Sequence, residues 1–177
     1  MKFASLLATA SLALGALCNS LDAPTFTKVF NGTLVLDESR GQIDTHSGKL
    51  FLVEFTGGNL TDPHTGKLIA TFEHIGGQFG LTFNNQFVHT DVHFVTKWAD
   101  DGTYAHWQLW GCGTIADGLH SYARVDTGSK SRLDWQDNFF MFHINPFGDN
   151  PVKQVGFYKM DINWTGKTNA TDCPSHR

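Results

Sequence analysis

The sequence predicts an all-β protein, a single antiparallel β-barrel of about eight to ten strands. Three observations lead there. Turn signals recur at short, fairly even intervals, among them Asn31-Gly32, Ser47-Gly48, Gly57-Gly58, Gly76-Gly77, Asp100-Asp101-Gly102 and Thr127-Gly128. Between them lie runs of roughly five to ten residues rich in Phe, Val, Ile, Thr, Trp and Tyr, the pattern of a sandwich or barrel. No window repeats apolar residues at i, i+3, i+4 and i+7 for long enough to form a helix.

The turns delimit the candidate strands. The first covers 28–36. A strand over 49–56 begins after Ser47-Gly48 and stops at Gly57-Gly58. Strands 67–74 and 78–83 lie on either side of Gly76-Gly77, and the second ends at Asn84-Asn85. Strands 87–97 and 103–111 flank Ala99-Asp-Asp-Gly102, a hairpin turn. Strand 119–125 precedes Thr127-Gly128, strand 138–145 precedes Gly148-Asp149-Asn150-Pro151, and strand 153–163 ends before Thr165-Gly166. Closure of such a set leaves no edge strand exposed, which favours a barrel. No repeat or linker suggests a second domain.

Composition excludes other classes. Charged residues make up 17% of the chain, against a usual share of about 25%. Fifteen Phe, 5 Trp and 3 Tyr are incompatible with a disordered chain. The formal net charge is −4 and no basic cluster occurs, so nucleic acid is not an expected partner.

Lys2 precedes a charge-free apolar run ending in small residues at Ala16 and Cys18, which reads as a secretory signal peptide over 1–18. The mature domain is then 19–177, secreted and extracellular. That run is too short for a bilayer span, and no later segment is long and apolar enough to be one. Loss of Cys18 leaves Cys112 and Cys173 in an oxidising compartment, and a disulfide between them is expected. It would be worth roughly 4 kcal/mol in the chain-entropy model. Two unpaired thiols are the alternative. Sequons at Asn31, Asn59, Asn163 and Asn169 suggest a eukaryotic glycoprotein.

Several short motifs occur in a definite order: Phe55-Thr-Gly-Gly-Asn59, Asp91-Val-His-Phe94, Ala99-Asp-Asp-Gly102, Gly111, Val125-Asp-Thr-Gly128, Arg132, Trp135 and Asp137. In this order the chain resembles the domain-of-unknown-function family 3237 of bacteria and fungi, over roughly residues 30–162. The resemblance implies a lipocalin-like, calycin-type barrel and, with the sequons, a fungal source. It implies no reaction, because a fold hosts many functions. Where the family carries two arginines before the Gly111 equivalent, this chain has Gln108 and Trp110, and one extra residue lies between Asp91 and the Asp-Asp-Gly turn. An acidic ligand is therefore not inferred.

One constellation could carry chemistry. On a strand, His89, Asp91 and His93 share a face, and a hairpin would bring His106 and Gln108 opposite. Asp91 with His93 or His106 could move a proton without a cofactor. Three such ligands, His89, Asp91 and His93, could instead bind zinc, but of the three only Asp91 matches the pattern of the resembled family, so no metal is expected. The same spacing also describes a plain polar outer face. The aromatic set Tyr104, Trp110, Trp135 and Phe157, with Gln108, is the candidate ligand-binding group; ordinary core filling by large rings is the alternative.

Three functions follow. The first is a barrel binding a small, mostly apolar molecule. The second is a cofactor-independent isomerase, cyclase or lyase acting on a natural product through Asp91 with His93 or His106. The third is a structural or surface-interaction glycoprotein without a small ligand. A cavity with Asp91 and His106 converging inside favours the enzyme, a cavity without acids and bases favours the binder, and a filled lumen favours the third.

Overall fold

The structure is a computed structural model that describes residues 24–37, 41–84 and 86–161. The expected signal peptide at 1–18, Cys173, Asn163 and Asn169 lie outside these residues.

Nine strands form one antiparallel sheet: β1 (Thr25–Asp37), β2 (Gln42–Thr45), β3 (Gly48–Thr61), β4 (Leu68–Phe83), β5 (Phe87–Trp98), β6 (Tyr104–Thr114), β7 (Gly118–Thr127), β8 (Phe140–Ile144) and β9 (Val152–Asp161). Their order is β1-β9-β8-β7-β6-β5-β4-β3-β2, and β1 also pairs with β3. That pairing closes eight strands into a barrel and leaves β2 as an outer extension of β3. The expected all-β barrel is therefore the observed fold. No helix among the described residues is long and apolar enough to cross a membrane.

Two expected boundaries differ. Strands 67–74 and 78–83 are one bent strand, β4, whose register with β5 slips between Phe72 and Gly76. A bulge rather than a turn accounts for the glycine pair there. The short β2 was not expected, nor was the 3-10 segment Lys130–Asp137, whose polar sequence has no helical periodicity.

Closure brings β1 and β3 into close contact. Leu34 pairs with Gly58 and Thr33 with Asn59. Gly58 sits at φ +139, and a Cβ there would strike the Thr33 carbonyl, so this position of the Phe55–Asn59 motif requires glycine. Asn31 and Asn59 lie on this seam, pairing with Thr61 and Thr33, and Asn59 is exposed.

Alternation fills the lumen. On β5, Val88, Thr90, Val92, Phe94, Thr96 and Trp98 are all buried. Their partners across the hairpin, Ala105, Trp107 and Leu109, are buried too. One half of the barrel is packed solid with rings. Trp107 lies 5.0 Å from Phe157 and 5.5 Å from Phe140, and Phe94 lies 5.0 Å from Phe72. Both buried indoles in this region donate to threonine hydroxyls, Trp107 to Thr96 at 3.0 Å and Trp98 to Thr127 at 2.8 Å, so the rings are buried without an orphaned N–H.

The 3-10 segment plugs this end. Its Trp135 packs on Phe30, Trp98 and Phe140, and the Arg132 guanidinium lies 4.3 Å from the Trp98 ring. Arg132 also donates to both carboxylate oxygens of Asp100, at 3.1 and 2.8 Å. Neighbouring Asp101 accepts from the Ser129 hydroxyl at 2.5 Å and from both donors of Thr103. Gly102 closes the expected hairpin turn at φ +68, donating to the Trp98 carbonyl. The Asp-Asp-Gly, Thr-Gly, Arg132 and Trp135 motifs thus form one lock between a hairpin turn and its plug.

The Ser129 hydroxyl, followed by the Thr103 donors, holds the Asp101 carboxyl down at about 2 from the usual 3.8. A depressed folded-state value means that the interaction stabilises the fold above the unfolded value and is lost as pH falls through the folded one. We expect the melting temperature of Asp101→Asn to lie below that of the unmodified protein at neutral pH, with the gap narrowing between about pH 4 and pH 2. Thermal unfolding of both proteins across that range measures it; a constant gap would contradict the lock.

Candidate functional site

At the opposite end the lining changes. Inward positions there include Gln78, Gly80, Thr82, Thr90, Gly111, Gly113 and Ser121, small or polar where the other half has rings. Eight strands enclose only enough space for side chains or one small ligand, so swapping rings for glycines and short polar groups opens a void. A cavity of about 210 Å³ results. Its wall is Leu36, Phe51, Val53, Gln78, Gly80, Thr82 and Val88, from the inner faces of β1, β3, β4 and β5. Its mouth is bordered by Gly41 and Gln42 at the start of β2, and by Ile115, Pro146 and Phe147 from two loops.

Local sequence explains the wall. The run Gln78-Phe-Gly-Leu-Thr82 alternates strictly, with Gln78, Gly80 and Thr82 buried and Phe79 exposed. A Cβ on Gly80 would approach the Gln78 side-chain nitrogen to 2.9 Å, so glycine leaves room for the amide. Lys153 holds the loop over the mouth. Its amine is buried and donates to the Gly148 carbonyl at 2.7 Å and the Phe147 carbonyl at 3.4 Å. Those two carbonyls satisfy a charge that burial would otherwise penalise.

The cavity is mostly apolar, and among the described residues no acid or base lines it. Its one orphaned group is Thr82. This residue is 5% exposed, and its Oγ1 has no hydrogen-bond partner. A buried hydroxyl in that state costs on the order of 1–3 kcal/mol.

The residues singled out in the sequence lie elsewhere. His89, Asp91, His93, Tyr104, His106, Gln108 and Trp110 all stand on the outer wall, opposite in parity to the buried set. The expected hairpin does bring several together: Asp91 and His93 pair at 3.2 Å, His93 stacks with His106 at 5.6 Å, and Trp110 stacks with Tyr122 at 5.3 Å. They meet on the outer surface, away from the lumen, where His93 borders an open groove with Glu54, Gly76, Gly77 and Phe79. His89 faces the Phe83 ring instead of the other two. Among the described residues, no group of three or more His, Cys, Asp or Glu is arranged to hold a metal. Trp135 and Phe157 do lie inward, yet neither reaches the cavity: Trp135 belongs to the plug and Phe157 is fully buried in the ring-filled half. Sequence reasoning missed Gln78, Thr82 and Phe147. The available signal was a Gly flanked at two-residue spacing by polar side chains, on the strand face that carries the buried set.

No family model matches this chain, and no curated protein does. Solved structures share its fold. A protein with unknown function from Clostridium acetobutylicum ATCC 824 is 14% identical, with a TM-score of 0.64 over 77% of this chain and 99% of its own. A β-barrel-like protein from Acinetobacter baumannii AYE is 11% identical, with a TM-score of 0.65 over 81% and 99%. A structure described as an enzyme from Penicillium herquei is 15% identical, with a TM-score of 0.61 over 82% and 100%. At these identities the likeness is one of fold.

Replacing Thr82 by Val removes the orphaned hydroxyl and nearly keeps its shape. We expect Thr82→Val to stabilise the ligand-free protein by about 1 kcal/mol, read as a higher urea midpoint at unchanged slope. A lower midpoint would mean that the hydroxyl is satisfied in the fold.

Proposed function

We propose that this protein is a secreted, glycosylated and disulfide-bonded barrel that binds one small, mostly apolar molecule in the cavity at the open end. The observation that carries the reading is the division of the lumen: one half solid with rings, the other lined by Gly80, Thr82 and Val88 around about 210 Å³. A barrel that served only as a scaffold would gain stability by filling that space. Absence of acids and bases from the described lining supports binding over catalysis.

The resemblance to family 3237 is part of this reading. Of its matching positions, Gly58 serves the seam and Thr127, Arg132 and Trp135 serve the closed end, while Gly111 faces inward in the open half and Asp91 stands on the outer wall. A fungal source fits the sequons, two of which sit on the barrel's outer seam.

An enzyme of the same shape is the second reading, favoured by the fold likeness to the Penicillium herquei enzyme. Acting inside the lumen, it would need a group other than Asp91, His93 or His106, which stand on the outer wall.

Native mass spectrometry of the secreted protein tests the first reading. We expect a co-purifying small molecule that is lost in Gly80→Val, where the new side chain fills the cavity, and kept in Asp91→Asn on the outer wall. Loss in Asp91→Asn with retention in Gly80→Val would move the site outside. A thiol titration of the denatured secreted protein tests the covalent part. Cys112 is exposed on β6, and no titratable thiol is expected if it pairs with Cys173.

A further inference from the structure

Two polar groups of the cavity wall come from one strand. Gln78 and Thr82 occupy the same face of β4, with only Gly80 between them on that face. Thr82 Oγ1 has no partner, and no side-chain bond engages the Gln78 amide among the described residues. The remaining wall, Leu36, Phe51, Val53, Val88, Ile115 and Phe147, is apolar, and the other polar side chain of the lining, Gln42, stands exposed at the mouth.

We infer that the ligand is a neutral single-ring alcohol or phenol whose hydroxyl is held between Thr82 and Gln78. This rests on the binding reading above and names the chemistry of the same site. Size sets the ring count. An apolar cavity of about 150 Å³ holds benzene, and drug-sized ligands need about 300 Å³ or more. A void of about 210 Å³ lies between, which suits one substituted ring. Charge sets neutrality. A carboxylate or ammonium would enter a wall that carries no counter-charge among the described residues, the inward Lys153 amine being outside the lining and already held by the Phe147 and Gly148 carbonyls, and would lose its hydration uncompensated. Hydrogen-bond inventory sets the functional group. A hydroxyl accepts from the Gln78 amide nitrogen, which points toward Gly80, while donating to Thr82 Oγ1, so both protein groups are used at once. A plain hydrocarbon leaves Thr82 as it is, still buried and unpaired. A site that hydrogen-bonds a ligand hydroxyl discriminates against the analogue lacking it, for this reason.

Calorimetric titration of the full secreted protein with thymol, p-cymene and 4-isopropylbenzoate tests this. The first two differ by one hydroxyl, and the third carries a carboxylate. Thymol is expected to bind about tenfold more tightly than p-cymene, a difference of about 1.4 kcal/mol. The benzoate is expected not to bind at neutral pH. Thr82→Val should reduce the preference for thymol to about threefold or less, leaving p-cymene affinity unchanged or raised, and Thr82→Ser should restore the preference. Equal binding of thymol and p-cymene to the unmodified protein would overturn the anchor while leaving an apolar binding cavity. Preference for the benzoate would overturn neutrality. If none of the three bound, both this inference and the reading beneath it would fall.

Discussion

Closure of β1 onto β3 is the constraint on which the rest of the molecule depends. Once eight strands form a ring, every residue is committed to the lumen or to the outside, and period-two alternation permits no compromise. The seam needs close backbone approach, which Gly58 supplies opposite Leu34. Without that approach β1 and β3 would each present an unpaired edge. The seam also determines how much internal space exists, so the question of function becomes how that space is divided.

It is divided unevenly. Phe94, Trp107, Phe140 and Phe157 occupy one half so completely that nothing else fits. Trp135 and Arg132 then seal that end by packing on Phe30 and Trp98, with Asp100 and Asp101 binding the plug to the hairpin turn. This arrangement gives the closed half rigidity against which the open half can keep a void. Interiors are otherwise packed to crystal-like density, and voids in them are few. A void beside an unpaired hydroxyl is therefore a departure with a local physical cost, and ligand binding would offset it.

The outer wall shows how a sharp sequence pattern can mislead. Asp91, His93 and His106 do assemble, through the expected strand spacing and hairpin. Their assembly follows from register, and register is blind to which face is inward. The intervening residues settle that: Val92, Phe94 and Trp107 must avoid water, so the polar set is left outside. Exposed rings at Phe79, Tyr104 and Tyr122 belong to the same wall.

By itself the sequence determined the class of fold, most strand positions and the hairpin at residues 99–102. These depend on local turn chemistry and on alternation, both written in neighbouring residues. It also determined which residues share a face. Only the tertiary structure decided which strands close the ring, that β4 runs through its glycine pair as a bulge, and that a polar segment with no helical periodicity becomes the plug. Only it placed Gln78 and Thr82 against Phe51 and Phe147, which are distant in sequence and meet because the barrel closes. Cavity position is a property of summed side-chain volumes across several strands, and no single stretch of sequence carries that sum.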